Sequence, residues 1–398
     1  MLKNTLLFFI SVIISLYLSE IFLNFYYKNK LNDDYEKKIK MAKKMNIDFD
    51  KRNRFEFFES LKQKTNNLYP YYNTFDVEEY FLSQSNSIIS FGGISNITTI
   101  LNNESGFFPV IVTDEHGFNN PKGLYKKNIN TLLIGDSFIR GDGVRQNETV
   151  GAYMRKFDVE TLSIAQGGFG PLLELALLIE YAKPLEPKNL FWFYFSGNDY
   201  IDLITTSTDP KYAFLKNYLY KENYSNNLYY KQEEIDKFLK SFSDQLYYIE
   251  KEKNLKSKKN TDKNINIANI LVTTIKLRNL RLLLRLYKSE KMEDEYAELF
   301  TQILVRAKDE VKKWNGKLYF VHLPSYFNVV TKKTGIKNHI LEIVEKLEIP
   351  YVDIQEQLFK SHTSPTSLFP FHMSGHYNSQ GNYELANEIV KIIEKNKN

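Results

Sequence analysis

The chain has 398 residues, enough for one large domain with additions or for two modest ones. Its formal charge of +5 comes from 53 basic against 48 acidic residues, too small an excess to mark a nucleic-acid binder, and no zinc-finger, RNP or P-loop pattern is present. Cysteine is absent, which excludes disulfides, thiolate nucleophiles and cysteine metal sites.

In chain order, the first element is apolar. Thr5 to Ser19 carries no charge, and apolar character continues past Glu20 through Phe25-Tyr26-Tyr27. That length suits a helix crossing a hydrocarbon core of about 30 Å. The aromatic cluster followed by Lys28 and Lys30 reads as an interfacial belt. No small-x-small cleavage site follows, so residues 1–30 are expected to stay as a single-pass anchor rather than leave as a signal peptide. Seven lysines from Lys28 to Lys44, against Lys3 before the span, would by the positive-inside rule leave the bulk of the chain in the cytoplasm.

Residues 31–129 form a lead-in. It opens with a charged, helix-prone stretch, Asp33 to Lys64, and becomes turn-rich around Pro70, Gly92-Gly93 and Gly106. A small β-rich unit packed on the main domain is expected here, and no chemistry is assigned to it.

From residue 130 to 398 the pattern alternates strand and helix, which predicts a parallel sheet with helices on both faces. Thr131-Leu132-Leu133-Ile134 is the first strand and runs into Gly135-Asp136-Ser137. Val159 to Ile164 is the second and runs into Gln166-Gly167-Gly168-Phe169-Gly170-Pro171, where glycines let backbone N–H groups approach a ligand. Pro171 suits the first turn of a helix Leu172 to Ala182. Leu190 to Phe195 is too continuously apolar for a half-exposed strand, so it is central, and it ends at Ser196-Gly197-Asn198-Asp199.

About 203–300 is an insertion, too long for an ordinary connection. Lys253 to Asn266 reads as a polar surface loop. Ile267 to Tyr287 reads as a basic, apolar helix that covers the sheet or rests on anionic lipid or acidic glycan. The alternation resumes with a helix from Glu295 to Trp314, stopped by Asn315-Gly316. Then come a strand Leu318 to His322, a helix Asn338 to Leu347, a strand Tyr351 to Ile354, and an amphipathic helix from Gln380 to Lys395. His376 stands just before that last helix.

Acyl transfer needs a nucleophile, a base within reach of it, and donors aimed at the developing oxyanion. Ser137, His376, the glycine turn and the side chain of Asn198 are those residue types. A doubly wound sheet would bring all four to one edge. His372 and His376 stand four apart, but Gly375 and the helix start near Ser379 place both in a loop, so no metal is expected. No cofactor motif is present.

These blocks, in this order, resemble the SGNH hydrolases (the GDSL esterase/lipase superfamily) over about 130–202 and 318–393. Asp114-Glu115-His116-Gly117-Phe118 and Gly141-Asp142-Gly143-Val144 look like the membrane-anchored bacterial branch. The resemblance implies a flavodoxin-like three-layer α/β/α fold, Ser137 as nucleophile and His376 as general base. The oxyanion hole would be formed by the amides of Ser137 and Gly168 with the side chain of Asn198. It also implies an extracytoplasmic domain, periplasmic or at the cell surface, which opposes the charge rule. The substrate would be an ester-linked acyl or acetyl group on a glycan or lipid.

One departure stands out. The carboxylate that usually precedes the last-block histidine is missing, since Met373 and Ser374 occupy those places. The candidates to orient His376 are Ser374, Asp353 and Asp199; otherwise the pair works as a dyad. A second reading is a catalytically weak or silent fold that binds glycan or assists assembly at the membrane. A third, a phosphate loop at Gly135 to Gly143, lacks the lysine and glycine spacing of such loops. The oligomeric state is not legible.

Overall fold

The computed structural model describes residues 2–70, 90–259, 280 and 293–395. The chain divides into two compact units, Met1–Asp48 with Glu252–Ser289, and Phe49–Lys251 with Glu290–Asn398.

In the first unit a single helix, Leu2–Lys44, carries both the apolar stretch and the start of the charged one. Among the described residues its segment Leu7–Tyr26, 20 residues of mean hydropathy 2.0, is long and apolar enough to cross a membrane. Phe8, Phe9, Leu18 and Phe22 stand exposed on it. Glu20, the one charge in that segment, is buried and accepts the Leu280 N–H at 2.6 Å. The expected helix Ile267 to Tyr287 otherwise lies outside the described residues.

The second unit is built on a parallel sheet. Strands β1 (Thr98–Ile100) and β2 (Val110–Val112) form an antiparallel hairpin. Strands β3 (Thr131–Ile134), β4 (Thr161–Ser163), β5 (Asn189–Phe195), β6 (Lys317–Leu323) and β7 (Tyr351–Asp353) form the five-stranded sheet, in the order β4-β3-β5-β6-β7. Every pairing in it is parallel. The order is that of flavodoxin-like folds, with the topological switch between β3 and β5.

Alternation along the strands splits the core into two layers. Leu190, Trp192 and Tyr194 of β5 join one cluster with Leu172, Leu175, Phe300, Leu304 and Ile340. Those partners come from helices Pro171–Leu177, Asp294–Lys313 and Lys337–Lys346. Phe191 and Phe193 join the other with Val150, Met154, Leu385 and Ile389, from helices Val150–Lys156 and Ser379–Lys395. The sheet is thus covered on both faces, which is why its central strand has no polar alternation.

Two features differ from the expected organisation. The loop expected from Lys253 to Asn266 begins as helix, because Gln232–Lys259 is one helical run. Its lysine-rich end keeps helical propensity where the polar composition suggested a loop. The remainder, 260–266, lies outside the described residues. The lead-in also shares the main core: Phe91, Ile94, Ile97 and Phe118 sit in the same cluster as Trp192.

The Asp114–Phe118 turn joins the two parts. The Asp114 carboxylate accepts the N–H groups of His116 and Phe118 and the amide of Asn120. Asn120 also bonds Ser163 of β4 through both ends of its amide, closing that sheet edge. At the centre of the turn Gly117 has φ +81°, and a Cβ there would lie 2.1 Å from the Gly93 carbonyl carbon. Gly117→Ala therefore adds left-handed strain to backbone overlap, and a loss of about 2–5 kcal/mol is expected in denaturant titration.

Candidate active site

Three of the expected segments end at the same edge of the sheet. Gly135-Asp136-Ser137 follows β3 without a gap, and the apolar run ends because the chain must turn into a helix. Asp136 caps that helix, Ser137–Arg140, accepting the Phe138 N–H at 2.9 Å. Ser137 is then the first helical residue, whose N–H has no partner within the helix. Burial raises the Asp136 carboxyl to about 6, although the Phe138 N–H and the charge on His376 oppose the rise.

Beyond β4, the Phe169 N–H returns to the Gln166 carbonyl at 3.3 Å, closing a turn. Gly168 occupies its third position with φ +77°, the conformation a type II turn demands there. The Gly168 N–H takes no part in that turn's hydrogen bond. Gln166 N–H bonds the Gly135 carbonyl at 3.1 Å, which ties the turn to the serine's own strand end.

Beyond β5 the chain turns into helix Asp199–Thr208, preceded by Asn198. The Asn198 Nδ2 donates to Asp202 Oδ2 at 2.7 Å, which fixes the amide and leaves its second hydrogen for another acceptor. A Cβ on Gly170 would lie 2.6 Å from the Asp202 Cβ, so the glycine turn packs directly on the Asn198 helix. Burial lifts Asp202 to about 7.

The fourth segment comes from the other end of the chain. His376 Nε2 lies 2.7 Å from Ser137 Oγ, within the reach of a base activating a nucleophile. Its neighbour Tyr377 donates its hydroxyl to the Pro324 carbonyl at 2.7 Å, pinning this segment to the end of β6. The Phe138 ring packs on the imidazole at 4.6 Å and on Phe195 at 3.9 Å, giving the serine an apolar flank.

The imidazole's other nitrogen corrects the sequence reading. Nδ1 meets Glu104 Oε2 at 2.9 Å, and the same oxygen accepts the His376 backbone N–H at 3.0 Å. None of the three expected orienting groups fills that place. Ser374 is exposed. Asp353, at the end of β7, is engaged by Lys337 Nζ at 2.9 Å and the Gln355 N–H at 3.0 Å. Burial works against its charge, but His322 and Lys337 outweigh that and hold Asp353 at about 2. Asp199 is buried under β5, where Oδ2 accepts the Phe195 N–H at 2.7 Å, and burial pushes its carboxyl well up. Of the two histidines four apart, His376 turns to Ser137 while His372 is exposed beside Thr366.

Glu104 belongs to the lead-in, on the loop that joins β1 to β2. Leu101 N–H bonds the Pro109 carbonyl across the loop's base. Asn103 accepts the Gly106 N–H at 2.9 Å, and Ser105 Oγ donates to the Gly143 carbonyl at 2.6 Å. Glu104 is thereby held against the loop that follows Ser137. Nothing in the spacing could find it, since it stands 272 residues before the histidine it meets. The only local signal is an Asn-Glu-Ser-Gly turn between two short strands, a common surface pattern.

Electrostatics follow from this placement. Burial disfavours the imidazolium, but the Glu104 charge and hydrogen bond outweigh it, with Asp142 and Asp136 adding to them. His376 is raised to about 9. Asp142 is itself paired with the buried Arg140, through contacts of 2.7 and 2.6 Å. That guanidinium also lies under the glycine turn, where a Cβ on Gly167 would come within 2.5 Å of it.

Fold and site together define a class: an α/β protein with a serine–histidine–carboxylate chain at the switch point of its sheet. No protein-family model matches the chain, and no curated protein matches it in sequence. Among solved structures it is similar to a two-domain esterase active on acetylated mannans, crystallised with mannopentaose. That match has 9% identity and a TM-score of 0.37, over 67% of this chain and 50% of that one. The chain thus spans about half the length of that esterase. It is also similar to a proposed acylhydrolase from Bacteroides fragilis, at 11% identity and a TM-score of 0.31, over 67% of this chain and 86% of that one. At these identities and scores neither likeness bears on what this chain acts on; its own residues must.

Proposed function

We propose that the chain is a membrane-anchored serine esterase or acyl-transfer enzyme of SGNH type. The observation that carries this reading is the continuous chain Ser137 Oγ, His376 Nε2, His376 Nδ1, Glu104 Oε2, with links of 2.7 and 2.9 Å. Ser137 Oγ attacks the ester carbonyl as its proton passes to His376 Nε2. Glu104 fixes the tautomer that leaves Nε2 free to accept, and its charge stabilises the imidazolium that forms. The carbonyl oxygen, now negative, is met by the amides of Ser137 and Gly168 and by Asn198 Nδ2. The imidazolium then protonates the departing alcohol, leaving an acyl-serine. Water or a sugar hydroxyl, deprotonated by His376, takes the acyl group and frees the enzyme.

Phe138, packed on the His376 ring and on Phe195, gives Ser137 an apolar flank that suits an acyl group such as acetyl. The apolar helix Leu7–Tyr26 supports tethering to a membrane; a domain outside the cytoplasm and an ester on a surface glycan or lipid are what the family resemblance implies. The reading of a silent, glycan-binding fold drew on the want of a carboxylate beside His376; Glu104 removes that motive.

The test is intact mass after treating the protein with a fluorophosphonate, which reports an activated serine without the natural substrate. One adduct is expected on the wild type, none on Ser137→Ala, and slower formation on His376→Ala. A folded wild type that takes up no adduct would sink the esterase reading.

A further inference from the structure

The loop that carries Glu104 continues into the wall of a cleft of about 650 Å³, lined among others by Phe107, Phe108, Arg145, Gln146, Arg155 and Lys156. The cleft has three cationic side chains and no carboxylate in its lining. The Arg145 guanidinium lies over the Phe107 ring, 4.4 Å from its centre, and reaches Glu148 at 3.4 Å. Arg155 donates to the Thr161 carbonyl and Lys156 to the Asn147 carbonyl, each at 2.8 Å, and the Lys156 ammonium also lies over the Tyr153 ring at 4.4 Å, so both line the cleft while held by backbone oxygens rather than by a carboxylate at hydrogen-bond distance. Phe108 and Ala152, each 7% exposed, lie recessed. This is a basic trough with aromatic walls.

We propose that the trough binds a strand of acidic glycan and leads it to Ser137, so that the acylated substrate is a polyanionic sugar chain. This deepens the esterase reading and rests on it for the link to Ser137. The link is short. Phe107 follows Glu104 by three residues, which limits their Cα separation to about 11 Å. Arg145 follows Gly143, the residue to which Ser105 is bonded, by two. Sugar carboxylates would meet Arg145, Arg155 and Lys156, while the apolar faces of the rings lie against the exposed Val110 of the cleft wall. A guanidinium held over an aromatic ring has little freedom left to lose on binding. The recessed apolar floor admits a narrow chain but not a bilayer surface. An extended peptide has no strand edge to pair with at Val112, because the Gln146 amide already takes that residue's N–H at 3.2 Å and its carbonyl at 2.7 Å.

The experiment uses the full chain in detergent and titrates three probes by calorimetry: an unacetylated oligogalacturonate, a neutral mannan oligosaccharide and polyglutamate of matched charge. Oligogalacturonate is expected to bind at least tenfold tighter than either other probe, and more weakly as salt rises. The exposed pair Arg145→Ala/Lys156→Ala is expected to weaken it at least tenfold, with p-nitrophenyl acetate turnover unchanged. Equal binding of the mannan or of polyglutamate, or an unaffected double variant, would overturn the proposal. Binding as expected with no ester turnover in the wild type would instead remove the esterase reading and leave the trough standing. Turnover without oligogalacturonate binding does the reverse.

Discussion

Ser137→Ala is expected to lower kcat for ester hydrolysis by about 10⁶-fold, and His376→Ala by a similar factor, with the double variant hardly worse than either. The reason is that nucleophile and base act as one unit. Without the hydroxyl there is no acyl-enzyme, and without the imidazole the hydroxyl keeps its proton. Neither side chain holds the fold together, since Ser137 is joined to His376 at the open end of the sheet, while the surrounding segments are anchored by Tyr377 on Pro324 and by Asp136 on Phe138. Thermal melts should therefore stay close to wild type while steady-state turnover of a chromogenic acetate ester disappears. Additive losses, with the double variant far below both singles, would mean that the two residues do not act together.

The second large effect is at Glu104, and it depends on pH. Losing the carboxylate of a serine triad costs about 10⁴-fold in kcat in well-studied cases. Here the same carboxylate also raises His376 to about 9. Only neutral imidazole can accept the serine's proton, so wild-type kcat/KM should climb tenfold per pH unit through neutrality and level off above about 9. In Glu104→Gln the charge is gone and burial pulls the imidazole down, so the inflection moves to lower pH. The two consequences oppose each other near neutrality. At pH 10 the variant should fall short by about 10⁴-fold. At pH 7 wild type holds about 1% of its imidazole neutral, and the deficit should shrink to about 10²-fold. A deficit that stays constant with pH would show that Glu104 does not set the charge of His376.

Stability gives an independent reading of the same contact. His376 has a higher affinity for its proton in the folded protein than the 6.5 of a free imidazole. The ion pair therefore contributes fully below pH 6.5, on the order of 3 kcal/mol, and the contribution is lost as pH rises through about 9. The His376 and Glu104 side chains are 19% and 24% exposed, so solvent screens the pair only in part. Wild type should lose melting temperature between those pH values, and Glu104→Gln should lose much less.

How much of this was legible in the sequence follows from what each residue type can reveal locally. The strands β3, β5 and β6 announce themselves because a strand buried on both faces needs an unbroken apolar run, and Thr131–Ile134 or Leu190–Phe195 has one. Ser137, Gly168, Asn198 and His376 stand out because each directly follows such a run or precedes an amphipathic helix, and a parallel sheet sends all its strand ends to one edge. Asn315 and Pro171 mark helix ends for reasons of backbone geometry alone. Helix Leu7–Tyr26 needs only length and hydropathy to be seen.

What the sequence could not decide is any contact between distant polar residues. Asp353 and Asp199 looked as eligible as any carboxylate to orient His376, yet one is consumed by Lys337 and the other by the N–H that ends β5. Glu104, in a segment with no apparent chemistry, holds the place because the β1–β2 hairpin swings its loop over the sheet edge. The basic trough beyond it depends on the same fold, which sets Phe107 beside Arg145 and Lys156. Apolar periodicity is a local property that survives in one dimension; the partner of a buried charge is set by how the layers close, and only the folded chain shows it.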